Sequence, residues 1–396
     1  EGGYDLLYMN NQPSSNLEGY LAAEAAGLPA VQHCRIEPTL QANEAAVVNR
    51  TATRIICVSQ GVADVLAAQH VAENRLRVVH NAIDSRIALP APVALPPTAK
   101  ELVIGTVGQL TARKGVLHLL QAVANLKAEG LAVTCLILGE GPQRGELESA
   151  VARLGLLDQV SFVGFQSLPL AWVQAMDVCV LCSSKEGLPR VVLEAMLASK
   201  PVVGSDVTGT RELVVHEETG LLYAYGDVAA LTASLRRLLS DADLRRSMGE
   251  AGRQRVAERY SIEAYVAGVM QVLGEAVRCG EVGDVDADHG LAESAGHLGD
   301  DGRVVELGGG LDDGRGAGGG VARLEDAGAD EHAVGAQLHH HGGVRGGGHA
   351  AGHEQHDGQL AGLGDLAHQL VGSLEVLRGD VQLLRVGGVG GLQRGD

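Results

Sequence analysis

Short apolar runs alternate with helical patterns between residues 99 and 277, and this alternation constrains the fold more than any other feature of the chain. The strand-like runs are rich in β-branched residues and cover 102–108, 133–138, 160–163, 177–182 and 201–204. The helical patterns lie between or after them, at 115–128, 143–153, 189–198, 227–239 and 261–277. Such alternation is typical of βαβ units, which form a parallel sheet with helices on both faces. It predicts an α/β domain whose ligands bind beyond the carboxyl ends of the strands.

The first 85 residues show the same alternation. The strand-like segments there are 4–9, 30–33, 54–58 and 77–80, and the helical segments are 15–26, 41–51 and 59–69. Residues 86–98 contain four prolines, which can neither continue a helix nor donate to a sheet ladder, and this composition predicts a linker. We therefore expect a first domain at 1–85, a linker at 86–98 and a second domain at 99–277, whose last helix crosses back to the first domain.

The segment 278–396 differs in composition from the rest of the chain. From residue 280 onward it holds more than half of the 55 glycines and ten of the 15 histidines, with no aromatic residue, isoleucine or lysine. Apart from serine, its residues all have codons that can begin with G or C, as expected of an unselected reading frame in GC-rich DNA. Such a segment can bury little apolar surface, so we expect a disordered or frameshifted tail. The alternative is a genuine disordered metal-binding tail that uses His339, His340 and His341.

The bulk composition excludes some classes of function. The net charge of −18 argues against a nucleic-acid partner, which would require basic patches. No apolar run reaches the ~20 residues of a membrane span and no signal peptide is visible, so a cytoplasmic location is the default expectation. Cys179 and Cys182 form a C-x-x-C, but they lie in an apolar strand pattern whose alternation places them on opposite faces. We interpret them as buried free thiols rather than as a redox or metal pair.

The segment 184–203 carries two carboxylates eight residues apart. Pro189 suits the first position of a helix, and Glu194 interrupts the apolar run of that helix. A carboxylate in such surroundings is costly unless it is hydrogen-bonded, so Glu194 either caps a structural element or faces a cleft that holds hydroxyl groups. Glu186 comes just before the helix start, where free backbone N–H groups attract phosphate. Two carboxylates beside an anion-binding helix end suit a sugar nucleotide.

This segment resembles the E-x7-E signature of glycosyltransferase family 4, a family of retaining enzymes with the GT-B fold. Five further segments resemble motifs of that family in the same order: 54–62, 78–84, 105–115, 138–142 and 204–213. The resemblance covers roughly residues 4–277. It implies two Rossmann-like, doubly wound parallel-sheet domains. It also implies that the first domain is incomplete, since a full member carries further βα units and a glycine-rich loop before Tyr4.

The resemblance implies a retaining transfer of a sugar from a UDP-sugar or GDP-sugar to an acceptor hydroxyl, without a cofactor. The reaction would serve bacterial polysaccharide, glycolipid or other glycoconjugate synthesis. The acceptor would be a glycan or a lipid-linked molecule, and peripheral contact with the inner face of the membrane is a further expectation. Two alternatives remain open. The chain is either a non-catalytic nucleotide-binding fragment of such an enzyme, or another GT-B enzyme of the epimerase or phosphorylase type.

Several residues become candidates for the site. Arg113 and Lys114 follow a strand and would neutralise the donor diphosphate, although a solvated basic loop is the alternative. The resemblance implies that Glu186 binds sugar hydroxyls and Glu194 the ribose. The loop residues between them would present backbone to sugar and phosphate, and they are Gly187, Leu188 and Pro189.

His33 ends a strand of the first domain, at a place where the family often has a cleft histidine. By that resemblance it would touch the donor sugar or position the acceptor. Arg35 and Glu37 are weaker candidates for acceptor contact. No metal site is expected, since the sequence has no D-x-D motif and Arg, Lys and a helix end can replace a metal.

Overall fold

The computed structural model describes residues 4–97, 99–100, 102–281, 371–378 and 381–386. These residues form two α/β domains, each built on a six-stranded sheet. The prediction of an α/β protein with two Rossmann-like sheets is thereby confirmed.

The first domain contains four parallel strands in chain order. Its elements are β1 (Leu6–Met9), α1 (Leu17–Ala26), β2 (Ala30–Cys34), α2 (Ala42–Thr51), β3 (Ala52–Cys57), α3 (Gln60–Ala68) and β4 (Leu76–Val78). Local chemistry sets the helix ends. Gly27 ends α1 in the left-handed conformation with φ 64°, and the Ser59 hydroxyl caps α3 by accepting from the Val62 amide.

The strands of the second domain are β5 (Val103–Val107), β6 (Thr134–Leu138), β7 (Val160–Gly164), β8 (Val178–Leu181), β9 (Val202–Ser205) and β10 (Gly220–Tyr223). They form an entirely parallel sheet in the order β10-β9-β8-β5-β6-β7. The helices of this domain are α4 (Val116–Ala128), α5 (Arg144–Arg153), α6 (Pro169–Gln174), α7 (Arg190–Leu197), α8 (Thr208–Leu213), α9 (Val228–Ser240) and α10 (Ala242–Arg259). The strand order reverses between β5 and β8, and a ligand crevice is expected at such a switch point.

The last helix of the second domain, α11 (Ile262–Glu281), packs on the sheet of the first domain. Its residues Val272, Leu273 and Ala276 share a buried cluster with residues of β1, β2 and β3. Glu275 adds two ion pairs, to Arg54 at 3.2 Å and to Arg77 at 2.9 Å. This helix therefore ties the end of the second domain to the first.

A hairpin extends the sheet of the first domain. Its strands are β11 (Val371–Arg378) and β12 (Val381–Val386), and β12 pairs antiparallel with β1, opposing Leu384 to Leu6. The sequence analysis predicted no strands in this part of the chain, and the disordered or frameshifted tail at 278–396 stays a prediction. The segment is locally rich in valine and leucine, which favour strands, and its pairing covers the edge of β1. The histidine run at 339–341 lies outside the described residues.

The buried cysteines follow the strand alternation. Cys179 and Cys182 are both free and buried, and they belong to two different apolar clusters on opposite sides of the sheet. Burial raises the pKa of each thiol to about 12, so both are neutral at physiological pH. This agrees with the interpretation as buried free thiols.

Candidate active site

The loops after β5 and β8 meet at the switch point of the second sheet. The loop after β5 ends in a turn of 3-10 helix, Ala112–Lys114, directly before α4. The loop after β8 runs through Glu186 to the start of α7. The two loops are joined by the Ser184 amide, which donates to the Arg113 carbonyl oxygen at 2.8 Å. The topology thus brings together segments that are about 70 residues apart in sequence.

These loops place two cations on one buried carboxylate. The Lys114 Nζ lies 2.8 Å from the Glu186 Oε1, and the two side chains are only 17% and 8% exposed. The Arg113 Nη1 lies 3.6 Å from the same oxygen and also donates to the Lys185 carbonyl oxygen at 3.0 Å. Because burial strengthens charge interactions, these three residues form a largely buried cluster of ion pairs, which differs from a solvated basic loop.

The 186–189 loop leads into the N-terminus of α7. Pro189 was predicted at the first helical position. In the structure it precedes that position, with φ −69° and ψ 119°, and the helix starts at Arg190. The Val192 amide bonds back to the Pro189 carbonyl oxygen. The amide groups of Arg190 and Val191 come first in the helix and have no acceptor within it. Free amide groups at a helix start can bind an anion, and the anion site expected here from the sequence stays a prediction.

Glu194 lies inside α7 and its side chain is partly buried. Burial raises the pKa of its carboxyl group, and the nearby positive charge of Arg190 partly offsets that effect. Among the residues that the structure describes, none forms a hydrogen bond or an ion pair with its side chain. The alternative in which Glu194 caps a structural element therefore finds no partner in the described part of the chain.

His33 lies at the end of β2 and is fully buried. Its Nδ1 is 2.5 Å from the Tyr8 hydroxyl, and its ring centroid is 6.2 Å from that of Tyr265 on α11. Burial lowers the pKa of the imidazole well below its usual value, and the charge of Arg35 lowers it further. Its Nε2 has no hydrogen-bond partner among the described residues. Of the predicted site residues, Lys114 and Glu186 are therefore in direct contact with each other. His33 instead contacts Tyr8 and Tyr265.

Arg35 and Glu37 follow His33 at the boundary between the domains. The Arg35 side chain donates to the Asn10 Oδ1 at 3.0 Å. The Glu37 carboxylate crosses to the second domain, where it accepts from the Thr208 hydroxyl at 2.7 Å and lies 3.7 Å from the Lys185 Nζ. The loop after β2 is therefore in direct contact with the rim of the switch point.

Sequence reasoning missed the residues that join the domains. The Asn81 Nδ2 donates to the Leu188 carbonyl oxygen at 2.8 Å, so the segment after β4 contacts the 186–189 loop. The Glu212 carboxylate accepts from the Gly61 amide at 2.8 Å and lies 3.1 Å from the His80 Nε2. The family resemblance at 78–84 drew attention to this segment. It could not identify the partners of His80 and Asn81, which lie more than 100 residues away in sequence.

Two features are absent from the described residues. In residues 4–281 (apart from 98 and 101) and in the final hairpin, no helix combines the length and apolarity needed to cross a membrane. In the same part of the chain, no group of three or more His, Cys, Asp or Glu side chains is arranged to hold a metal ion.

Comparison with known proteins agrees with this geometry. The profile of the family described as Glycosyl transferases group 1 matches residues 92–255. The chain is 33% identical over 288 residues to 2-deoxystreptamine glucosyltransferase of Streptomyces kanamyceticus, covering 65% of this chain and 73% of that protein. It is also 33% identical to the lipopolysaccharide core biosynthesis glycosyltransferase LpsD of Rhizobium meliloti, of which it spans about half the length (54%).

Solved structures share the fold. Sucrose-phosphate synthase from Thermosynechococcus elongatus aligns with a TM-score of 0.60 at 26% identity, over 68% of this chain and 73% of that one. Anabaena HepE in complex with UDP-glucose aligns with a TM-score of 0.60 at 24% identity, over 68% of this chain and 79% of that one. The fold is therefore that of the GT-B glycosyltransferases, and the chain belongs to the group 1 glycosyl transferases.

Proposed function

We propose that this protein is a retaining glycosyltransferase of family 4, which moves a sugar from a nucleotide-diphosphate sugar to an acceptor hydroxyl. The observation that carries the proposal is the contact of Lys114 and Arg113 with Glu186, beside the free N-terminus of α7, at the switch point. Cations and helix amide groups suit a diphosphate, and a carboxylate suits sugar hydroxyls. Both kinds of recognition would then occur within one site.

A bound donor would replace the contact between Lys114 and Glu186 with contacts of its own. Lys114 and Glu186 now neutralise each other at 2.8 Å, which offsets the free energy of burying both charges. A bound donor brings phosphate oxygens to Lys114 and Arg113, and hydroxyl groups to Glu186. Glu194, further along α7, would accept from the ribose hydroxyls. Lys114 and Glu186 would thus keep polar partners throughout binding, and Glu194 would gain one.

The reaction would proceed on one face of the sugar. The bond from the anomeric carbon to the diphosphate oxygen breaks, and the acceptor oxygen attacks that carbon from the same side. The acceptor proton passes to the departing diphosphate, so that no separate base is required. Arg113, Lys114 and the amide groups of α7 stabilise the negative charge that grows on the leaving group. His33 would lie on the acceptor side, in the first domain.

Several finer properties belong to the same proposal. The donor would be a UDP-sugar or a GDP-sugar, and no cofactor or metal would be needed. The acceptor would be a glycan or a lipid-linked molecule in bacterial glycoconjugate synthesis, as the name of the Rhizobium meliloti relative suggests for that protein. The enzyme would work in the cytoplasm and contact the inner face of the membrane peripherally.

Donor binding and donor cleavage test the proposal separately. Calorimetry on the full chain with UDP and GDP should detect binding of at least one nucleotide. Incubation with UDP-glucose, followed by measurement of released UDP, should detect slow donor cleavage by water even without the acceptor. If neither nucleotide binds at millimolar concentration, the donor-site assignment is wrong. If a nucleotide binds and no candidate sugar nucleotide is cleaved or transferred, the chain is a nucleotide-binding module.

A further inference from the structure

The segment that crosses between the domains contacts the 186–189 loop through one side chain. We propose that Asn81 is a positioning residue for the donor site, because its amide group fixes the peptide that aims the N-terminus of α7. The inference rests on the proposed function, since it concerns how the diphosphate is held. Asn81 would not touch the donor itself.

Asn81 donates a hydrogen bond to a peptide unit whose only hydrogen-bonding group is its carbonyl oxygen. The Asn81 Nδ2 donates to the Leu188 carbonyl oxygen at 2.8 Å. The next residue is Pro189, which has no N–H, so this peptide unit can be anchored only through its carbonyl oxygen. Removing the amide of Asn81 would leave that anchor to water.

The rest of the loop is enclosed too tightly to find another arrangement. A Cβ added to Gly187 would come within 2.0 Å of the Arg35 carbonyl oxygen, and one added to Gly209 within 1.9 Å of the Gly187 carbonyl oxygen. Lys114 holds Glu186 at the start of the loop. The segment from Glu186 to Leu188 is therefore contacted by the first domain and α8 at its backbone, and by the loop after β5 at the Glu186 side chain. Asn81 supplies the contact nearest to the helix.

The direction of the Leu188–Pro189 peptide sets the direction of the helix end. Pro189 immediately precedes the first helical position of α7, and the amide groups of Arg190 and Val191 follow it. A rotation of the anchored peptide would turn these amide groups away from a bound diphosphate. Small displacements of such donors weaken both binding and turnover, because their effect depends on preorganisation.

Neighbouring contacts hold Asn81 in place. His80, the preceding residue, lies 3.1 Å from the Glu212 carboxylate, which also accepts from the Gly61 amide. The crossing segment is thus fixed to both domains just before Asn81. Through Asn81, the arrangement of the two domains is linked to the orientation of the anion-binding amide groups.

Asn81→Asp in the full chain tests the proposal, because it preserves the size of the side chain and replaces the amide donor with an acceptor. Asn49→Asp is a matched control, since the Asn49 Nδ2 also donates to a carbonyl oxygen, that of His70, at 2.7 Å on the surface of the first domain. We expect Asn81→Asp to weaken UDP binding about ten-fold or more, the scale for a carbonyl group left without its donor. Asn49→Asp should bind UDP within two-fold of the wild type, by analogy with other surface changes.

Calorimetry with UDP and thermal unfolding should be run on all three proteins. A purely structural role would lower the unfolding temperature of Asn81→Asp without changing the UDP affinity of the folded protein, and this result would overturn the proposal. Equal weakening by both variants would overturn it as well. If Asn81→Asp does not fold, Asn81→Ala takes its place with the same expectation. Failure of the wild type to bind UDP or GDP would instead refute the donor site itself, which keeps the two proposals distinguishable.

Discussion

The two domains hold sheets of similar size but contribute to the site in different ways. In the first domain, β1 to β4 follow one another in chain order, and no reversal occurs among these four parallel strands. In the second domain the order reverses between β5 and β8, and the charged loops with Arg113, Lys114 and Glu186 follow those two strands. Under the proposed function, the second domain would therefore supply the charged donor site, and the first domain would supply one wall of the cleft.

The wall contacts the 186–189 loop through backbone and uncharged groups, while the Glu37 carboxylate contacts Thr208 and Lys185 at the rim. The Arg35 carbonyl group packs against Gly187, and Asn81 binds the Leu188 carbonyl oxygen. His33 is buried and electrically neutral, between Tyr8 and Tyr265. If the first domain contributes few charges to donor binding, its side chains can differ between enzymes with different acceptors while diphosphate binding is preserved. Four substitutions test this division between the domains.

Lys114→Ala should have the largest effect. Its charge stabilises the leaving diphosphate most strongly as the bond breaks, so turnover should fall about 100-fold or more, while UDP affinity falls less. Lys127→Ala is the matched control, because the Lys127 Nζ also lies 2.8 Å from a carboxylate, that of Asp158, on the outer surface. Rates of UDP-glucose cleavage and UDP affinities of both variants would be compared. Equal loss in the two variants would contradict the role of Lys114.

Glu194→Ala should weaken nucleotide binding next most strongly. Loss of a desolvated hydroxyl contact costs about 1–3 kcal/mol, which corresponds to roughly 5- to 150-fold in affinity. The fold should survive, because no described residue depends on this carboxylate for a hydrogen bond. Calorimetry with UDP and a thermal unfolding scan would be performed together. Unchanged affinity in a destabilised protein would show that Glu194 is structural.

His33 should make the first domain sensitive to acid. The pKa of His33 is lower in the folded protein than in the unfolded chain. As the pH falls, the unfolded chain therefore binds a proton at this histidine before the folded protein does. Its stabilising contribution is complete above about pH 6.5, the ordinary value for histidine, and decreases as the pH falls toward the folded-state pKa. His33→Gln should reduce the loss of stability between pH 7 and pH 5, measured by denaturant unfolding. An identical pH dependence in wild type and variant would exclude this role.

Glu275→Gln should have the smallest of these effects. Burial would raise the pKa of Glu275, but hydrogen bonds from Gln271 and Arg54 and the charge of Arg77 outweigh it and lower the pKa. The substitution removes both ion pairs of α11 and should lower the Tm by about 2–4 °C. Glu24→Gln, which breaks the exposed pair with Arg50, should leave the Tm unchanged. A larger change in Glu24→Gln would reverse the order expected from burial.

The sequence was a good guide to the elements with a strong apolar pattern. The strand predicted at 102–108 is Val103–Val107, and the helix predicted at 227–239 is Val228–Ser240. Helix α10 was missed, since its eighteen residues are mainly polar and show little apolar stripe. Strand β10 and helices α6 and α8 were also missed, because each has only four to six residues and their patterns are too short to read.

The same division holds for the site. Charged residues beside strand ends and a helix start could be identified, because parallel sheets collect such residues at one edge. The contact of Asn81 with Leu188 spans 107 residues, and the contact of Glu212 with Gly61 spans 151. Such contacts depend on how the two domains meet, which no local pattern encodes. The hairpin at 371–386 escaped notice because the composition of its surroundings outweighed its own strand pattern.

A crystal structure of the protein with bound UDP would test the central claim most directly, namely that the donor site lies at the switch point of the second domain. We predict that the diphosphate oxygens lie about 3 Å from the amide groups of Arg190 and Val191 and from the side chain of Lys114 or Arg113, the range of a charge-assisted hydrogen bond. We further predict that the ribose hydroxyls lie at hydrogen-bond distance from Glu194. UDP bound against the first domain alone, or anywhere away from the start of α7, would contradict the account.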